Sequence, residues 1–150
     1  QIVFGQQIAV SVANKQRINF VKSMGKQYGE NLYQYPKLEN ITETAVNQLS
    51  ISTNKKKSLL EIKEYFTHSA ADTTNLINIF GVGNWTVDWF ALKCLNKTNT
   101  IPAGDLKVRK TFSKFFNDEK YTDSKQLKVL EEKLYPIGGL LAHCLLLEFS

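Results

Sequence analysis

Asp105, Trp85 and Trp89 are the residues of this chain whose types and spacing could do chemistry, together with the turn Phe80-Gly81-Val82-Gly83-Asn84 that precedes them. An aspartate after Pro102-Ala103-Gly104 is the natural N-cap of a helix, and a helix N-terminus favours an ionised carboxylate. Capping alone would account for it; a fixed negative charge facing a ligand is the second use. Trp85 and Trp89 are four residues apart, so on a helix they stand one above the other. They either pack against another helix or present two ring faces to a ligand. Glycines at 81 and 83 permit close approach of another backbone, and a helix beginning at Asn84 leaves N–H groups with partial positive charge, a ready phosphate site. A phosphate cradle with two aromatic faces one turn behind it points to nucleic acid.

Helices must position these groups. Val87, Phe90, Ala91, Cys94 and Leu95 repeat at helical spacing, which predicts an apolar stripe with both tryptophans off it. Upstream, Val3, Phe4, Ile8, Val12, Ile18, Val21 and Met24 mark helical segments closed by Gly25 and Gly29, with Gln6 and Gln7 near their start as either solvated surface or slim groups reaching a base stack. Residues 31–36 read as a connector with Tyr33, Tyr35 and Pro36. Helices are predicted over Leu38 to Leu49 and, after the capping sequence Ser50-Ile51-Ser52-Thr53-Asn54, through Leu59, Leu60, Ile62 and Phe66. Lys55-Lys56-Lys57 opens the latter against its dipole, as solvated surface or as a phosphate contact. Asp72 caps a short helix into the glycine turn. Further helices run through Leu106, Val108, Phe112 and Phe115, with Lys107, Arg109, Lys110 and Lys114 on a basic surface, then through Leu127, Leu130 and Leu134. After a break at Pro136-Ile137-Gly138-Gly139, Leu140 to Phe149 reads as a buried closing helix. No segment alternates as a strand would, so the fold class is all-α.

The 150 residues, 43% hydrophobic, suffice for one ordinary core, which predicts one domain over 1–150. A net charge of +5 permits a polyanionic partner without demanding one. Cys94 and Cys144, the only two cysteines, read as buried small hydrophobes; they exclude a four-cysteine cluster, and His68 and His143 are too isolated to serve as ligands. No side-chain metal site and no cofactor are expected, and no span is apolar enough for a membrane. The chain starts at Gln1 inside a periodic segment, which suggests an upstream portion.

Gly81-Val82-Gly83-Asn84-Trp85-Thr86, followed at the observed distance by Pro102-Ala103-Gly104-Asp105, resembles the helix-hairpin-helix DNA glycosylases, and most of all the 3-methyladenine DNA glycosylase II group. Gly5-Gln6-Gln7-Ile8, Tyr35-Pro36 and the helix at Lys57 are similar to that family's opening segments. The resemblance implies a helix-hairpin-helix glycosylase fold and a monofunctional enzyme of base excision repair that hydrolyses the N-glycosidic bond of flipped alkylated bases such as 3-methyladenine. It implies Asp105 as the catalytic carboxylate, Trp85 and Trp89 stacking on the base, and Gln7 filling the gap in the duplex. Gln6, Gly81, Val82, Gly83, Thr86, Lys107 and Arg109 would hold DNA, with a cation on hairpin backbone carbonyls in some relatives. Bifunctional relatives carry a lysine where Trp85 stands, so no lyase step is implied. The implied partner is double-stranded DNA with alkylated bases, bound by an intracellular monomer. Two departures stand out: the segment from Phe66 to Leu76 is short, suggesting a trimmed helix, and Leu134-Tyr135-Pro136-Ile137-Gly138 lacks the arginine of the relatives' Trp-x-Pro-Tyr-Arg. The other readings are a non-catalytic helix-hairpin-helix DNA-binding module and an all-α protein-interaction domain.

Overall fold

The computed structural model describes residues 1–69 and 73–149. The chain forms two compact units, Gln1–Ala71 with Asn78–Val82, and Asp72–Ile77 with Gly83–Ser150. Helices dominate both, as the periodicity predicts. The proposed cap at Asp72 lies outside the described residues.

In the first unit, α1 (Ile2–Gly5) and α2 (Val10–Met24) are separated by a bend in which Gln7 takes φ 56°. Phe4 and Phe20 meet at 5.2 Å between centroids and pack with Val3, Met24, Val46, Leu49 and Leu59. Burying each such ring stabilises by about 1.5–3 kcal/mol. The connector differs from expectation: Gln27–Gly29 (β1) pairs antiparallel with Leu32–Tyr33 (β2) through a turn in which Asn31 takes φ 61°. Strands of three and two residues are too short to show alternation in sequence. The helix predicted over Leu38 to Leu49 is also broken. A 3-10 turn (Leu38–Asn40) ends at Ile41, and α3 (Glu43–Asn47) restarts under the cap of Thr42, whose hydroxyl accepts from the Ala45 N–H.

Helix α4 (Thr53–His68) starts under Ser52, as the capping sequence predicts. Its lysine run is solvated only in part, Lys57 being exposed. Lys55 is buried, its ammonium donating to the Phe4 carbonyl at 3.1 Å and to Gln16 Oε1 at 3.5 Å; Lys56 donates to the Asn47 carbonyl, and Lys57 lies over the Phe80 ring. Internal acceptors outweigh the unfavourable dipole position.

The second unit holds a 3-10 turn at Leu76–Ile77 that continues to Asn78, then α5 (Asn84–Cys94), α6 (Leu106–Phe116), a 3-10 turn (Glu119–Thr122), α7 (Ser124–Lys133) and α8 (Gly138–Glu148). Asp105 and Asp123 cap α6 and α7. Phe112, Val108, Leu127 and Ile101 are fully buried. The break that the sequence predicts at Gly138 and Gly139 ends before them, and both form the first turn of α8. A Cβ on Gly139 would lie 2.2 Å from the Thr100 carbonyl oxygen, so glycine permits helix and loop to touch backbone to backbone. Helix α8 itself is half buried rather than enclosed. Gly138, Gly139, Ala142 and Leu145 face inward, while Leu140, Cys144 and Leu147 lie on the opposite face and are exposed. Cys94, at the last turn of α5, is exposed as well, so neither thiol is the core residue its apolar neighbours suggest.

Candidate active site

Helix α5 does not divide as its periodicity predicts. Val87, Phe90 and Leu95 are only partly buried, whereas Trp89 is 6% exposed. The reason is electrostatic as well as steric. Trp89 Nε1 donates to Asp105 Oδ2 at 3.2 Å, and Trp85 Nε1 donates to the same oxygen at 2.9 Å. The rings stand 6.4 Å apart, edge to face at 68°. The Lys93 ammonium lies 4.4 Å from the Trp89 ring centroid, a cation–π contact with one aromatic face. Trp85 is partly exposed and retains the more open ring.

Asp105 receives two further donors. Its Oδ1 accepts the Lys107 N–H at 2.8 Å and the Val108 N–H at 3.3 Å. Four N–H groups thus fill the roughly four lone-pair sites of one carboxylate. One carboxylate therefore caps α6 through Oδ1 and holds both indoles through Oδ2. Trp85 lies against the loop at Gly104, where a Cβ would sit 3.6 Å from Trp85 Cβ, an ordinary contact that does not require glycine. The twenty-residue spacing pointed to Asp105, but nothing in sequence showed that both indoles would bond it; two tryptophans at i and i+4 with a downstream cap was the available signal.

At the turn, Gly81 and Gly83 are exposed while Val82 is buried, so the glycines present the backbone. Gly81 has φ 75° and its carbonyl accepts from Gln6 Nε2 at 2.8 Å. That bond spends part of the Gln6 amide internally. Gln7 is exposed on its left-handed backbone. Thr86 is buried, and its N–H is bonded to the Gly83 carbonyl. No side chain caps α5 at Gly83, in contrast to α6. Lys107 is exposed and Arg109 half-buried, with an Arg109 Nε that is buried and has no hydrogen-bond partner. Sequence reasoning missed the Lys93 contact and a cluster of Asp88, Lys128 and Glu131.

No group of three or more histidine, cysteine or carboxylate side chains among the described residues could hold a metal. Hairpin carbonyls fit a cation only in part. Those of Ile79 and Gly81 each accept one hydrogen bond and keep a lone pair, whereas that of Gly83 takes both the Thr86 and Val87 N–H groups. A cation on Ile79 and Gly81 would add positive charge for a phosphate. No described helix is long and apolar enough to cross a membrane.

No protein-family model matches this sequence, and no curated protein matches it. Solved structures do. The chain is similar to the 3-methyladenine DNA glycosylase of Archaeoglobus fulgidus with a TM-score of 0.81 and 22% identity, covering 97% of this chain and 55% of that one. It is also similar to the Schizosaccharomyces pombe 3-methyladenine DNA glycosylase in complex with abasic DNA, with a TM-score of 0.71 and 24% identity over 97% of this chain and 75% of that one. The chain therefore spans little more than half the length of the archaeal enzyme and has the helix-hairpin-helix fold of the 3-methyladenine DNA glycosylases.

Proposed function

We propose that this chain carries the catalytic unit of a monofunctional DNA glycosylase that removes alkylated bases such as 3-methyladenine from duplex DNA. The observation that carries the reading is the convergence of Trp85 and Trp89 Nε1 on Asp105 Oδ2. An N-glycosidic bond breaks with its electron pair leaving on the base, and the sugar passes through an oxocarbenium-like state. A negative charge held near C1′ stabilises that state without moving. With all its lone-pair sites occupied, Asp105 acts as such a fixed charge rather than as a proton acceptor; water then adds to C1′ and loses its proton to solvent. A cationic alkylated purine departs neutral, which removes the need for a strong general acid.

The open ring of Trp85 stacks on the flipped base, while Trp89, mostly buried and bonded at its edge, contributes mainly through its N–H. The family resemblance gives Gln7, exposed on a left-handed backbone, the role of filling the gap left in the duplex. The uncapped α5 N-terminus and the Gly81 and Gly83 backbone take a phosphate, as do Lys107 and the half-buried Arg109. Flipping favours bases that leave the stack easily. A second reading, a DNA-binding module without catalysis, draws on the same capping geometry of Asp105. Incubation with methylated duplex separates them: a glycosylase releases free alkylated base and leaves an abasic site, whereas a binding module retains duplex and yields no product.

A further inference from the structure

The loop that delivers Asp105 is held from behind by groups with no part in the proposed chemistry. Lys128, on α7, donates to the Ile101 carbonyl at 3.1 Å and lies 3.0 Å from Glu131 Oε2 and 3.3 Å from Asp88 Oδ2. Glu131 Oε2 in turn accepts the Ile101 N–H. Both backbone groups of Ile101 are thus bonded to α7 side chains, four residues before Asp105, and the next turn closes with the Asp105 N–H on the Pro102 carbonyl at 2.9 Å. Ile101, Pro102 and Ala103 are buried, leaving the segment little room to shift.

Asp88 lies on α5 between the two indole donors. The same ammonium that grips the loop therefore grips the helix that carries Trp85 and Trp89. Three donors on one ammonium meet three acceptors on three separate pieces of chain: α5, the loop and α7. We infer that Lys128 is a positioning residue, which sets the distance from the indole N–H groups to the Asp105 carboxylate by bridging α5 to the loop. Burial raises the Asp88 pKa, and the adjacent Lys128 charge opposes that rise, so the ammonium also keeps a desolvated carboxylate in its charged, bonded form. A hydrophobic residue at 128 leaves Asp88 and Glu131 as two like charges in a partly buried space, and the loop relaxes away from α5. The inference rests on the glycosylase reading for its effect on rate, but not for its effect on the indoles.

Trp85 and Trp89 are the only tryptophans, so the protein gives two indole N–H resonances. Lys128→Met shifts both toward the value of a solvent-bonded indole, and Lys128→Arg restores them. In single-turnover assays at saturating enzyme, Lys128→Met slows base release by about 100-fold, as an ångström-scale misplacement does, while affinity for abasic duplex stays unchanged; Lys128→Arg recovers most of the rate. Unmoved indole resonances in a folded Lys128→Met protein overturn the inference, as does a lowered melting temperature with an unchanged saturating rate. Where Lys128→Met does not fold, Glu131→Gln carries the same test, with smaller shifts in the same direction. Shifted resonances in a protein whose wild type releases no base would leave the positioning role standing and defeat the glycosylase reading instead.

Discussion

Trp89 Nε1 lies 3.2 Å from Asp105 Oδ2, and that contact joins the middle of α5 to the N-cap of α6 across sixteen residues of sequence. Trp85 shares the acceptor at 2.9 Å. Hydrogen bonds to a charged group contribute about 1.5–3 kcal/mol each, and two donors on one oxygen are coupled. Trp85→Phe and Trp89→Phe each destabilise the fold in urea titration by about that amount. The double variant departs from the sum of the two by more than about 0.5 kcal/mol. Strict additivity would mean that the shared acceptor does not exist in solution.

The two turn glycines separate under substitution. Gly81 has φ 75° and a Cβ there would lie 2.2 Å from Ser58 Oγ, so Gly81→Ala costs about 1–3 kcal/mol of stability from backbone strain alone. Around Gly83 nothing lies within 4 Å of a Cβ and its φ is −115°, so Gly83→Ala unfolds at the wild-type denaturant midpoint. Its duplex affinity nevertheless falls, because the added methyl stands where a phosphate would approach. Wild-type affinity in Gly83→Ala would remove the turn from the DNA interface.

The helical framework and the caps at Ser52 and Asp105 are legible in sequence, because capping is local chemistry. What sequence hid is long-range. The burial of Lys55 depends on a Phe4 carbonyl fifty-one residues away, and the inward turn of Trp89 depends on an acceptor outside its helix. The exposure of Cys94 and Cys144 follows from which face of α5 and α8 finds a neighbour, which apolar counting along one helix does not reveal. The small β1–β2 pair rests on a left-handed Asn31, a conformation that asparagine tolerates but does not announce.

Lys55 gives stability a pH signature. Burial lowers its folded pKa from the ordinary 10.5. Between that lowered value and 10.5 the unfolded chain holds more protons than the folded one, so stability attributable to Lys55 rises with pH across this window. Below it the full cost of the buried charge is present; above 10.5 both states are neutral. Chemical denaturation of wild type against Lys55→Met therefore shows the difference moving in favour of wild type as pH climbs to 10.5. A pH-independent difference would place the ammonium in solvent.

Arg109 and Lys107 carry a salt prediction. Each, if on a phosphate, contributes about one unit to the slope of log affinity against log salt, and Arg109→Gln or Lys107→Gln lowers that slope by about one without changing lesion preference. An unchanged slope for Arg109→Gln would remove Arg109 from the DNA interface.

The central claim is that the carboxylate charge of Asp105 drives loss of the base. The most direct measurement is the single-turnover release of alkylated base by Asp105→Asn, which preserves size and an oxygen for the α6 cap. The predicted result is a fall of about 100- to 1000-fold, typical of losing a preorganised electrostatic group, with abasic-duplex affinity within about twofold because phosphate contacts dominate it. Release at the wild-type rate from Asp105→Asn would contradict the account.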